Sequence, residues 1–307
     1  MRKRKEKFIL DTLEWSQNLG EIGLYMLFYE PMGKDVVSLK NIPYGPYSRN
    51  KYDVYYSKSN NKSKKPLFIY FHGGGYISGT KETRKFYCKK WVEEGYAAIC
   101  VNYHYIADYP FRNQLSDCFK AVEHIFDNSE KYGIDTDNII ISGESAGAHI
   151  ASLLAQAYGN REIYDNFAPD FRYKDAFRPK GCVLISGIYD AKKLLSYRFV
   201  NMRSFAMVLC DKSADEIDDY LQSEDGQKLT VSYYLNDKFP PSAIINSSMD
   251  LLAPDSEAFC KKLDALGVKN VYCFCNGLCC VHGAGLFTKF STGKKALLDT
   301  KKFIKSL

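Results

Sequence analysis

Short apolar runs alternate with amphipathic stretches over most of this 307-residue chain. Runs at 52 to 57, 67 to 71, 97 to 103, 138 to 142, 182 to 186, 242 to 247 and 271 to 275 have the length and composition of strands. Between them, segments near 82 to 94, 113 to 130, 146 to 158, 255 to 266 and 293 to 305 carry a helical period. The period is plainest at 113 to 130, where Leu115, Phe119, Val122, Ile125 and Phe126 share one face. Strands and helices in alternation predict an α/β domain with a mostly parallel, doubly wound sheet.

Two stretches break this rhythm. About fifty-five residues in excess separate the strands at 182 and 242, too many for a simple crossover. They carry Leu194, Leu195, Phe199, Met202, Phe205, Met207, Val208 and Leu209, then the charged run Asp215 to Asp219. An inserted helical lid is expected over 189–236, its apolar face excluding water from a site, with Phe205 and Met207 as candidate substrate-pocket residues. Packing among the lid's own helices would give the same composition. At the other break, Phe8, Ile9, Leu13, Trp15, Leu19 and Ile22 form an amphipathic pattern that fits a cap lying against the domain. Met1 to Lys5 is basic, so the same helix also suits an anionic membrane surface. The expected division is therefore cap helices over 1–45, a core built from 46–188 and 237–307, and the lid between.

Chemistry enters at Gly143-Glu144-Ser145-Ala146-Gly147, which follows the apolar run 138 to 142 and leads into a helix. Strand, G-x-S-x-G turn and helix in that order describe a nucleophile elbow, with Ser145 as the nucleophile. Its flanking glycines answer a turn so tight that side chains there would collide with the neighbouring strand and helix. The other reading is an ordinary glycine-containing strand-to-helix turn. Upstream, the buried strand Leu67 to Phe71 runs into His72-Gly73-Gly74-Gly75-Tyr76. Three consecutive glycines carry an entropic cost, and acyl transfer supplies a reason for them: an oxyanion must be met by backbone N–H donors that side chains would hold away. A flexible loop is the alternative. An HGGG loop and an elbow, each at a strand end, form a specific pair.

The two motifs resemble the hormone-sensitive-lipase-like branch of the α/β-hydrolase superfamily, esterases carrying HGGG and G-[DE]-S-A-G. Val101-Asn102-Tyr103-His104-Tyr105, Tyr109-Pro110-Phe111, Asp117-Cys118 and Tyr132-Gly133-Ile134-Asp135 are similar to further segments of that group. His104 stands where Arg is usual, and Ala107-Asp108 where Pro-Glu is common. The resemblance spans roughly residues 45 to 305 and implies an α/β-hydrolase fold with a helical cap, acting on short to medium acyl esters.

A serine nucleophile needs a histidine to take its proton and a carboxylate to hold that histidine. Of His72, His104, His124, His149 and His282, only His282 follows Ser145 at a distance that the order serine, acid, histidine allows, and its His-Gly resembles the family's catalytic pair. For the acid, the strand 242 to 247 ends at Met249-Asp250, at the edge where open α/β sheets place ligands. Asp250 is the better candidate; Asp255 reads more simply as an acidic residue in a helix's first turn, and Asp264 as a solvated charge. By analogy with the elbow template, the oxyanion hole is assigned to the amides of Gly74, Gly75 and Ala146, with Gly73 serving the turn. His72 is expected to brace that loop. Glu144 either orients nearby groups or forms a buried salt bridge.

Composition changes this picture little. A 46% hydrophobic content allows one large core, and the net charge of +6 is spread along the chain without the basic, aromatic-interleaved blocks of a nucleic-acid binder. After Met1 to Lys5 only Phe8-Ile9-Leu10 precede Asp11, short of the apolar core of a signal peptide, and no run approaches a transmembrane helix of about 20 residues. Ten cysteines without such a leader favour a reduced, cytoplasmic setting. Cys273, Cys275, Cys279, Cys280 and His282 lack zinc-ribbon spacing, and ligation would consume the base. A serine carboxylic-ester hydrolase is expected, without metal or organic cofactor, taking a small-molecule ester and leaving self-association open. A carbohydrate-ester (acetyl or feruloyl) esterase is the alternative that Tyr47 to Tyr55 and Gly95-Tyr96 to Tyr103 resemble, and a non-catalytic small-molecule binder of this fold is the other.

Overall fold

The computed structural model describes residues 29–60, 64–106, 109–191, 193, 202–278 and 280–307, with positions 12, 15, 19–20, 22–23 and 26–27, leaving aside the side chains of 60, 202, 205 and 208. Eight strands form one sheet: β1 (Val36–Pro43), β2 (Lys51–Ser57), β3 (Lys65–Phe71), β4 (Ala97–Val101), β5 (Ile134–Glu144), β6 (Gly181–Ile185), β7 (Ser242–Ser247) and β8 (Asn270–Cys275). Their order is β1-β2-β4-β3-β5-β6-β7-β8. β2 runs antiparallel to both its neighbours, and every other pairing is parallel. The principal helices are α1 (Lys81–Val92), α2 (Phe111–Asp127), α3 (Ala146–Gln156), α4 (Met202–Cys210), α5 (Ile217–Gln222), α6 (Ala253–Ala265) and α7 (Ser291–Lys305).

Both faces of the sheet are covered, which is why its central strands are apolar without alternation. Leu67, Ile69 and Phe71 of β3 join the larger core, with Leu115 and Phe119 of α2, Leu153 of α3 and Leu263 of α6. Phe68 and Tyr70 point the other way, into a second core with Trp91 of α1 and Leu297 of α7. The Trp91 indole stacks on Phe68 with ring centres 4.4 Å apart. Register aligns Phe71 with Gly143 and Glu144 with Ile185, so β3, β5 and β6 end together at one edge.

Every predicted strand and helix is present, with ends moved by a few residues. One strand was not predicted. Residues 36–43, placed among the cap helices by the sequence reading, form the edge strand β1, which pairs with β2 through a register shift between Leu39 and Ile42. Its mostly half-buried and exposed residues show no strict alternation, so the pattern that marks a half-buried strand is missing. Between β6 and β7 the described residues include α4, α5 and the single turns Glu224–Gln227 and Val231–Tyr234. At the N-terminus, helical Trp15, Leu19 and Ile22 are exposed, contrary to the expectation that they lie against the core, and Phe8, Ile9 and Leu13 fall outside the described residues.

Trp91→Ala should lower unfolding free energy in denaturant titration by about 3–5 kcal/mol, the range for emptying a buried aromatic site. A loss below about 1 kcal/mol would mean that the second core collapses onto the vacancy.

Candidate active site

β5 ends at Glu144 and α3 begins at Ala146, leaving Ser145 as the one residue of the turn, with φ 53° and ψ −120°. That left-handed backbone is unfavourable for a side-chain-bearing residue and persists only when its surroundings enforce it. Here they do. A Cβ on Gly147 would overlap the carbonyl oxygens of Phe71 and His72, and one on Gly143 would overlap the Gly147 carbonyl. The Ser145 N–H donates to the Ile185 carbonyl at the end of β6 over 2.8 Å, while its own carbonyl accepts from His149 N–H. The serine is thereby fixed at the carboxyl edge of the sheet, above β6.

The HGGG segment leaves β3 directly over the elbow. Gly74 and Gly75 have φ of 104° and 58°, and a Cβ on Gly74 would overlap the Ser78 carbonyl. The Gly74 carbonyl closes the loop by accepting from Ile77 and Ser78 amides. Among the described residues the Gly74 and Gly75 N–H groups have no protein acceptor. Ala146, at the first position of α3, has no intrahelical acceptor for its N–H either. Gly73 differs: its N–H donates to Glu144 Oε1 over 2.6 Å. Glu144 also accepts from the Tyr70 hydroxyl and pairs with the buried Arg84 guanidinium. Both readings of Glu144 thus hold at once, because its buried ion pair is also what holds the glycine loop.

The loops after β7 and β8 bring Asp250 and His282 together. Nδ1 of His282 lies 3.0 and 3.1 Å from the two Asp250 carboxylate oxygens. The Asp250 side chain is fully buried, whereas 34% of His282 is exposed, so the imidazole is the member that can meet a substrate. Burial alone would raise the Asp250 pKa, but the hydrogen bond and charge of His282, with donors from Ser186 and the Leu252 N–H, bring it below the ordinary carboxylate value. Asp250 therefore stays ionised. Ser186, which follows Ile185, accepts the Gly283 N–H at 3.1 Å, placing His282 within one residue of the peptide that receives the Ser145 amide. The runner-up Asp255 is engaged elsewhere: it accepts from the Tyr189 and Asp190 amides and pairs with Lys193 at 3.4 Å. Exposed Asp264 accepts from Asn270.

The remaining histidines brace the scaffold. His72 Nδ1 donates to the Gly73 carbonyl at 2.8 Å, and burial with nearby arginines holds the ring neutral. His149 links three elements: Nε2 donates to the Leu229 carbonyl between β6 and β7, Nδ1 accepts from the Tyr76 hydroxyl, and the ring stacks on Phe111. Burial pushes its pKa down to about 4. His104 contacts Asp117, which also accepts from Asn50, and His124 bonds the Tyr52 hydroxyl. Cys273 and the pair Cys275 and Cys280 turn to Thr300 and Thr292 respectively, and Cys279 lies outside the described residues. Of the lid candidates, Met207 is half-buried against the larger core, and the Phe205 side chain lies outside the described ones. Arg84, His149 and Ser186 were not read from the sequence; only their distant partners reveal them.

Gly147→Ala should destabilise by more than the about 1–3 kcal/mol of ordinary overpacking, because its neighbours are backbone; a stable variant of unchanged elbow geometry would contradict the crossing described. For His149, the folded chain binds fewer protons than the unfolded chain between pH 6.5 and about 4. Its share of stability is complete above pH 6.5 and is lost as pH falls toward 4. Urea unfolding at pH 7 and pH 5 should accordingly show a smaller acid-side loss in His149→Gln than in the native chain, leaving the part due to His72. Equal losses in both would remove His149 from the account.

Residues 52–263 match the BD-FAE family, well over half of the chain. A putative alpha/beta hydrolase, R526, of Acanthamoeba polyphaga mimivirus is 22% identical over 215 residues, covering 68% of this chain and 58% of its own. The isoprenylcysteine alpha-carbonyl methylesterase ICME of Arabidopsis thaliana is 25% identical over 233 residues, covering 75% and 53%. The chain thus spans little more than half the length of these curated relatives. Among solved structures, esterase B from Lactobacillus rhamnosis superposes with a TM-score of 0.84 at 20% identity, covering 99% of this chain and 96% of its own. The sheet order, the elbow and this superposition are those of an α/β-hydrolase fold, and the chain belongs to the BD-FAE family.

Proposed function

We propose that the protein is a serine carboxylic-ester hydrolase working through an acyl-enzyme, on short to medium acyl esters. One observation carries this: the Asp250–His282 pair, built from two separate loops, lands beside the β6 end that anchors the Ser145 amide. Ser145 Oγ attacks the ester carbonyl while His282 takes its proton, and Asp250 holds the imidazole and stabilises the imidazolium. The tetrahedral oxyanion is received by the N–H groups of Gly74, Gly75 and Ala146. His282 then protonates the leaving alcohol and activates the water that releases the acid. Phe205 and Met207 are proposed to flank the acyl group. Names of the similar proteins, a methylesterase and an esterase, support ester chemistry.

No described helix is long and apolar enough to cross a membrane. A reduced, cytoplasmic setting is proposed from the ten cysteines, of which the nine described are buried free thiols. Any homo-oligomer would leave the chemistry within one chain, because all the proposed groups come from it.

Hydrolysis of p-nitrophenyl acetate and butyrate tests the reading. Ser145→Ala should lower kcat by about 10⁶-fold and Asp250→Asn by about 10⁴-fold. Inactivity of the folded native chain on every ester offered would favour a non-catalytic binder. Acetylated and feruloylated sugars in the same panel test the carbohydrate-ester alternative, which a clear preference for them would establish.

A further inference from the structure

Ser186 is the first residue after β6 and is wholly buried, yet its φ is 50°. Glycine adopts that conformation readily and residues with a Cβ do not. Its N–H donates to the Ile245 carbonyl of β7 at 2.8 Å, so the parallel ladder continues through it and holds the backbone in place. Backbone energetics alone would favour glycine here. What glycine could not supply is the hydroxyl.

That hydroxyl accepts the Gly283 N–H at 3.1 Å, one residue beyond His282. One atom thereby ties the loop after β8, which carries His282, to the end of β6, where the neighbouring Ile185 carbonyl receives the Ser145 amide. The same hydroxyl is among the groups that hold the Asp250 carboxyl below its ordinary value.

Resting on the serine-hydrolase reading above, we propose that Ser186 is a positioning residue for the reaction: its hydroxyl holds the loop of His282 on the end of β6, beside the anchored Ser145, and the strained backbone is the means of aiming it. It touches neither substrate nor the reacting atoms. Without the hydroxyl, Gly283 loses its acceptor, so the imidazole samples orientations away from Ser145.

Ser186→Ala and Ser186→Gly separate this role from stability, because glycine relieves the backbone while both remove the hydroxyl. With p-nitrophenyl butyrate, both variants should lose about 10- to 100-fold in kcat with KM nearly unchanged, the scale of a misoriented catalytic group. Ser186→Gly should melt at or above the native temperature. If Ser145→Ala abolishes turnover but Ser186→Gly keeps native kcat and KM, the positioning role is overturned and the hydrolase reading stands. A kcat loss in Ser186→Ala that Ser186→Gly restores would make the residue's effect one of backbone stability, which also overturns it. Full turnover by Ser145→Ala overturns both readings together.

Discussion

The site depends on one steric crossing. The first turn of α3 passes so close over the end of β3 that only glycine at 147 leaves room for the carbonyls of Phe71 and His72. Because Phe71 and Gly143 are in register on adjacent parallel strands, that contact joins the end of one strand to the turn after the other. The loop that continues from Phe71 has nowhere to go but across the serine. The proposed oxyanion donors and nucleophile are therefore brought together by packing, before any polar interaction between them is formed, and water would have less to reorganise as charge develops.

Charge is handled by keeping most of it out of the reaction. His72 and His149 are buried neutral, and Glu144 is spent on Arg84, Tyr70 and Gly73. Asp250 is the acid left ionised beside His282, a third of whose side chain is exposed. A buried ion pair such as Arg84 with Glu144 adds little net stability, since desolvation offsets attraction, but removing one partner is severe. Its use here is geometric. It fixes the Gly73 amide, and with it the orientation of the two amides that follow.

The sheet was legible because strands covered on both faces need unbroken apolar runs, and the motifs because few residues other than glycine fit their turns. Ser145, His282 and Asp250 followed from chain order and strand ends, and the structure brings the last two into contact. Edge strand β1 was missed because solvent on one side and a register shift erase its alternation. Ser186 was invisible for another reason. Its importance lies in a positive φ and in a partner 97 residues away, neither of which a local pattern records. The N-terminal stripe misled through Trp15, Leu19 and Ile22, where helical periodicity gives a face but does not say what the face meets.

The most direct measurement is a crystal structure after reaction with an alkyl phosphonate ester. A bond from phosphorus to Ser145 Oγ is predicted, with the phosphoryl oxygen about 2.7–3.1 Å from the Gly74, Gly75 and Ala146 nitrogens and His282 facing the leaving-group side. An adduct on another residue, or a phosphoryl oxygen turned away from those amides, would contradict the account.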